Sequence, residues 1–180
     1  MIIPAYNEEE SILNTVMSIV EYRKKVDFDL DYVVINDGSV DRTKEILDSH
    51  HLNAIHLVMN LGIGGAVQTG YKYALEKDYD VAVQFDGDGQ HDIESLDALL
   101  DPIRRQQADL VVGSRFIGDK SSEFQTTFMR RFGITIISAF IKLTTGKRIL
   151  DTTSGYRLAN QDIIRPVSYT HLTLPTTPYV

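Results

Sequence analysis

A chain of 180 residues with 43% hydrophobic and 24% charged residues has the make-up of one globular domain with a sizeable core. It contains no Cys, which excludes a disulfide framework, a thiolate metal site and a cysteine nucleophile. The net charge of −7 is uneven: residues 1–113 carry 9 Lys+Arg against 21 Asp+Glu, residues 114–180 carry 9 against 4. The acidic front argues against nucleic acid as a partner, while the basic back can face phosphates or an anionic membrane.

Strand-like and helix-like segments alternate along the chain. Met1-Ile-Ile reads as the end of a strand, and residues 9–24 as a helix with Ile12, Val16, Ile19 and Val20 on one face. Tyr32–Ile35 is a buried strand, 41–50 a short helix, and Ala54–Val58 a third strand. Residues 63–76 form a helix opened by glycines, and Asp80–Phe85 a fourth strand. Residues 92–107 align Ile93, Leu96, Leu100 and Ile103 along a helix, and Leu110–Val112 is a fifth strand. Short apolar strands separated by helices predict an α/β fold with a mostly parallel central sheet and helices on both faces.

The back of the chain reads differently. Residues 128–144 are apolar almost all round a helix, and Arg130, Arg131, Lys142, Lys147 and Arg148 flank that stretch. These residues alone fit a membrane-interface helix and a buried or oligomer-contact helix equally. The apolar run Phe132–Leu143 is shorter than the roughly 20 residues of a spanning helix. No basic leader precedes Glu8-Glu-Glu10, so the cytoplasm is the expected compartment. Residues 168–180 are Thr-rich with two prolines and read as a tail foreign to a domain spanning 1–167.

In an open parallel sheet, ligands bind beyond the carboxyl ends of the strands. Four polar motifs stand at such ends. The strongest is Asp86-Gly-Asp88-Gly-Gln90-His91. Residues i and i+2 of an extended chain point the same way, so Asp86 and Asp88 can reach one hard cation, with Gln90 as a third oxygen. His91 reads as a helix-start residue. The second is Pro4-Ala-Tyr6-Asn-Glu8, where Tyr6 can flank a base and Glu8 can accept from a ribose or base. The third is Asn36-Asp37-Gly38-Ser39, with Asp37 placed to accept from a nucleoside. The fourth is Gly113-Ser-Arg115, where arginine suits phosphate. Taken singly, the second and third are also ordinary turns, and the fourth fits a solvated surface charge. Asn60-Leu-Gly62-Ile-Gly64-Gly65-Ala66 fits a ligand-proximal turn or a packing turn, and Val67 breaks the dinucleotide pattern G-x-G-x-x-G. Asp151-Thr-Thr-Ser-Gly155-Tyr-Arg157 offers Asp151 and Arg157 as polar candidates.

Taken in chain order, from Ile2 to about Pro166, the motifs resemble those of the family-2 glycosyltransferases. Within them the chain is most similar to the dolichol-phosphate mannose synthases and their bacterial polyprenyl-phosphate relatives. The resemblance implies a glycosyltransferase A-type nucleotide-binding sandwich. It implies that Pro4, Ala5, Tyr6, Glu8, Ile35 and Asp37 hold the nucleoside. Asp86, Gly87, Asp88 and Gln90 would hold the diphosphate and an Mg²⁺ or Mn²⁺ ion. Arg115 and one of Arg130 or Arg131 would contact phosphates, and Asp151 would lie near sugar or acceptor. Asp88, Asp151 and Arg115 are the expected catalytic residues.

The resemblance also tips residues 128–148 towards a membrane surface, on the inner face of the cell membrane. It implies an inverting transfer from a nucleoside-diphosphate sugar to a polyprenyl phosphate. Transfer to a sugar hydroxyl in polysaccharide synthesis, and a non-catalytic nucleotide-sugar binding module, are the alternatives. Asn36 departs from the family's usual Asp-Asp-Gly-Ser, and a few residues are expected to be missing before the first strand.

Overall fold

The computed structural model describes residues 1–87, 92–113 and 155–170. In chain order these form β1 (Ile2–Ala5), α1 (Ile12–Arg23), β2 (Val33–Asn36), α2 (Thr43–Ser49), β3 (Ala54–His56), α3 (Gly62–Glu76) and β4 (Val81–Gln84). A 3₁₀ turn (Ile93–Ser95), α4 (Leu96–Arg104), β5 (Leu110–Val112), β6 (Arg157–Asn160) and α5 (Gln161–Tyr169) follow. The strands make one sheet in the order β3-β2-β1-β4-β6-β5. β1, β2, β3 and β4 run parallel, and β6 lies antiparallel between β4 and β5. The expected mostly parallel α/β sheet is therefore the observed one.

Alternation along each strand divides the core in two. Ile3, Val34, Val83 and Phe85 face one side, against Ile12, Val16 and Ile19 of α1, Leu47 of α2 and Leu96 and Leu100 of α4. Ile2, Val33, Ile35 and Ala82 face the other, against Ala66, Tyr71 and Ala74 of α3 and Ile164 of α5. The helix starting near residue 92 enters through the 3₁₀ turn because the Asp92 carboxylate accepts the Glu94 N–H at 3.1 Å. Among the described residues no helix is long and apolar enough to cross a membrane.

Three elements differ from the sequence reading. β1 runs on through Pro4 and Ala5, although proline cannot donate to a ladder. The Met1 and Ala5 carbonyls accept from β2, whereas the Ile2 carbonyl accepts from Phe85 on the β4 side. Pro4 therefore turns its nitrogen towards β4, and pairing with β4 is confined to the Ile2 register; the missing donor costs little. β6 and α5 carry no long apolar run. Leu158 and Ala159 are buried, and Asn160 ends the strand and caps α5 by accepting the Asp162 N–H at 3.1 Å.

Gly70 shows how tightly α3 lies on the sheet. A Cβ there would overlap the Ile2 side chain, its Cβ included, which is 2% exposed. Gly70→Ala is expected to destabilise the domain by a net ~2 kcal/mol, read from urea unfolding. Overpacking of up to about 3 kcal/mol outweighs a helix-propensity gain of about 1 kcal/mol.

Candidate active site

The order of strands in the sheet reverses between the parallel strands β1 and β4, and a cleft of about 690 Å³ opens there beyond the strand ends. Its walls come from the exits of β1, β2 and β4, the start of α3 and the start of β6.

The β1 exit places Pro4, Ala5, Tyr6 and Glu8 on the cleft. Asn7 takes a left-handed conformation, φ 58°, which turns the chain sharply between Tyr6 and Glu8. That turn is stitched to the loop after β2. Asn7 donates its N–H to Ser39 Oγ at 3.0 Å, and Asn7 Oδ1 accepts the Val40 N–H at 2.9 Å. Glu8 N–H donates to the buried Thr43 Oγ1 at 2.8 Å. The Glu8 carboxylate accepts from Ser11 Oγ at 2.6 Å.

Asp37 at the β2 exit is 3% exposed, and its Oδ1 accepts the Leu61 N–H at 2.7 Å. A carboxylate is thus held at the cleft wall by a backbone donor from the next loop. Gly38 must be glycine twice over: φ is +67°, and a Cβ would lie 2.8 Å from the Asn60 nitrogen. α3 then opens on the cleft at Gly62, whose N–H donates to Asn60 Oδ1 at 2.9 Å. Asn60, Gly62, Ile63 and Gly64 line this side, so the glycine turn lies on the cleft.

The β4 exit carries Gln84, Asp86 and Gly87. Thr15 of α1, 4% exposed, donates its hydroxyl to the Gly87 carbonyl at 3.0 Å and ties this turn to the first helix. Phe85 meets Tyr156 edge to face, centroids 5.2 Å apart. That buried pair sets Asp86 beside Gly155, and a Cβ on Gly155 would fall on the Asp86 carboxylate. Arg157, in register with Gln84 across the β4–β6 pair, brings a cation into the cleft. Its charge also reaches Tyr71, whose hydroxyl burial pushes up and Arg157 pulls down.

The cleft therefore gathers Pro4, Ala5, Tyr6, Glu8, Asp37, Asp86 and Gly87 from the residues expected by sequence. Ile35 does not join them. It is fully buried in the core beneath α3, because strand alternation turns it to the face opposite Asn36. Asp88, Gln90, His91, Arg115, Arg130, Arg131, Asp151 and the segment 128–148 lie outside the described residues. Sequence reasoning missed Gln84, which no motif marked, and Thr15 and Thr43, which look like ordinary helix residues. Arg157 had a signal, its place two residues after Gly155.

A hard cation fits this donor set. Among the described residues no three His, Cys, Asp or Glu side chains gather as a metal cluster. Mg²⁺ and Mn²⁺ at phosphate-transfer sites often take only one or two carboxylates, however, with phosphate and water oxygens completing the shell. Asp86 could supply one such carboxylate, in a space that Gly155 keeps clear. Among the described residues lining the cleft, Glu8, Asp37 and Asp86 outnumber Arg157. An unaccompanied diphosphate would meet repulsion there.

The sequence pattern of glycosyl transferase family 2 matches residues 1–167. The chain belongs to that family. Among similar family proteins is the undecaprenyl-phosphate mannosyltransferase of Micrococcus luteus, 34% identical over 172 residues, covering 92% of this chain and 68% of that protein. The UDP-N-acetylglucosamine–dolichyl-phosphate N-acetylglucosaminyltransferase of Methanococcus voltae is 31% identical, covering 93% of this chain and 71% of its own length. A solved glucosyl-3-phosphoglycerate synthase of Mycobacterium tuberculosis, in complex with Mn²⁺, UDP-glucose and phosphoglyceric acid, superposes with a TM-score of 0.66 at 20% identity. It is covered over 56% of its length and matches 90% of this chain. That likeness places the fold among the glycosyltransferase A-type sheets. This family-2 chain thus spans about two thirds of its lipid-phosphate relatives and just over half of the solved neighbour.

Proposed function

We propose that this family-2 domain, residues 1–167, moves a sugar from a nucleoside-diphosphate sugar to a polyprenyl phosphate, with inversion at the anomeric carbon. One observation carries the reading: the exits of β1, β2 and β4 bring Tyr6, Glu8, Asp37 and Asp86 to a single cleft at the point where the strand order reverses. The similarity to undecaprenyl- and dolichyl-phosphate glycosyltransferases over more than nine tenths of the chain supports the acceptor class.

In this reading Tyr6 flanks the base, with Pro4 and Ala5 beneath it. Asp37 accepts from the nucleoside with the carboxylate capacity that Leu61 leaves, and Glu8 accepts from the base or ribose. Asp86, joined by Asp88 and Gln90, would hold Mg²⁺ or Mn²⁺. A bound divalent cation would supply Lewis-acid stabilisation of the departing diphosphate. Gly87 lets the chain run close beneath the phosphates. Arg115, with Arg130 or Arg131, offsets phosphate charge. An acceptor phosphate oxygen attacks the anomeric carbon from the face opposite the diphosphate. The new C–O bond forms as the old one breaks, and the nucleoside diphosphate leaves with the electron pair. An alkyl phosphate is largely dianionic at neutral pH, its second pKa near 6 by analogy with phosphorylated side chains, so it needs positioning rather than a strong base. Asp151 is the base for a hydroxyl acceptor. The basic-flanked apolar segment 128–148 would meet the inner membrane face by its composition.

The test supplies purified protein and Mn²⁺ with radiolabelled UDP- and GDP-sugars, and with undecaprenyl phosphate or a glycan as acceptor. Label passing into the organic phase only with the lipid phosphate is the expected result. Label transferred to the glycan instead replaces the acceptor assignment. Donor bound but neither transferred nor hydrolysed makes the chain a binding module.

A further inference from the structure

Behind the nucleoside turn runs a directional hydrogen-bond chain that the proposed mechanism does not use. We propose that His56 is a positioning residue for the donor. It is a neutral imidazole carrying its proton on Nε2, and through Asn36 it fixes the turn that bears Asp37. The inference rests on the reading of the cleft as a nucleoside site.

The polarity follows from the partners. Asn36 is 2% exposed, and both ends of its amide are engaged. Its Oδ1 lies 3.1 Å from the Ser39 nitrogen, and its Nδ2 lies 3.0 Å from His56 Nδ1. A backbone N–H can only donate, so the amide oxygen must face Ser39 and the NH₂ must face His56. His56 Nδ1 is then an acceptor, and the ring proton sits on Nε2. That nitrogen lies 3.0 Å from Asp48 Oδ1 on α2, to which it donates.

The chain continues towards the cleft. Ser39 Oγ accepts the Asn7 N–H at 3.0 Å, and Asn7 Oδ1 accepts the Val40 N–H at 2.9 Å. Asp48, His56, Asn36, Ser39 and Asn7 thus link the outer helix to the turn between Tyr6 and Glu8. Asp37 sits inside this frame, one residue after Asn36 and two before Ser39.

The identities matter at each link. An aspartate at position 36 could accept from Ser39 but could not donate to a neutral ring. Asn36 and neutral His56 therefore suit one another, which gives a reason for the departure from Asp-Asp-Gly-Ser. A buried amide left without its partner bears a desolvation cost that no hydrogen bond offsets. The Asn36 side chain, freed from His56, has reason to rotate and release Ser39.

Three variants and one spectrum decide it. In ¹⁵N-correlated NMR of the whole chain at neutral pH, His56 is expected as the Nε2–H tautomer; an Nδ1–H ring or an imidazolium overturns the proposal. Titration of UDP and GDP with Mn²⁺ is expected to show His56→Ala weakening nucleotide binding about tenfold, equivalent to one lost buried hydrogen bond. Turnover at saturating donor should change by less than about twofold. His56→Gln offers Asn36 an oxygen and Asp48 an N–H, and should recover binding to within about threefold, whereas His56→Phe should not. Equal affinity in all three variants, or loss unrelieved by Gln, overturns the positioning role. If the unaltered protein binds neither nucleotide, the reading of the cleft fails and the donor role falls with it. The tautomer then reports on the hydrogen-bond chain alone.

Discussion

Asp86→Ala is expected to lower kcat/KM for sugar transfer by at least about 10³-fold, the largest effect of any single change to a described residue. Two losses combine. The carboxylate proposed to hold the cation disappears, removing several kcal/mol of transition-state stabilisation. The diphosphate is then left among Glu8 and Asp37 with less positive charge to oppose them. Each 1.36 kcal/mol is a factor of ten, so a threshold of 10³ asks for about 4 kcal/mol. The variant should stay folded, because Asp86 is only part-buried and follows β4 rather than belonging to it. Circular dichroism checks that. The decisive comparison is UDP and GDP binding with Mn²⁺ and with EDTA. Chelation should weaken binding to the unaltered protein and leave the variant's residual binding unchanged. Activity within tenfold of the original, in a folded variant, would sink the assignment.

Most of this fold is legible in the sequence because its strands carry their burial in their composition. Val33-Val-Ile and Val81-Ala-Val are apolar on consecutive residues because helices cover both faces. The Ile93, Leu96, Leu100 and Ile103 spacing likewise marks one buried face, and all four are buried. β6 was not legible for the opposite reason. It is four residues long, Arg157 and Asn160 at its ends are polar, and its place in the sheet comes from pairing with β4 and β5. Nothing local in Arg-Leu-Ala-Asn encodes that pairing.

The site divides in the same way. Residues at strand ends could be found because the α/β topology puts such ends together, and Tyr6, Asp37 and Asp86 are there. What sequence could not give was direction and support. Ile35 stands next to two polar residues in the chain, yet alternation sends it into the core. Thr15 and Thr43 support the cleft from helices through hydroxyls on backbone partners 72 and 35 residues away in sequence. Only the assembled sheet brings those partners into reach.

Gly155→Ala is the second large effect expected, a fall of about 10²-fold in kcat/KM, of the size that a misplacement near 1 Å can cause. What alanine adds is volume, and a Cβ there would overlap three atoms of the Asp86 carboxyl group. Phe85 and Tyr156 are 1% and 4% exposed and packed edge to face. The two segments therefore cannot simply part, and Asp86 must swing away from its place on the cleft. The cause can be separated from general damage by a double-mutant cycle. Gly155→Ala alone should lower both activity and melting temperature. In the Asp86→Ala background the collision is gone, so the same substitution should leave the melting temperature nearly unchanged and reduce the remaining activity little further. Additive losses in the two backgrounds would mean that Gly155 serves the site through something other than the room it leaves for Asp86.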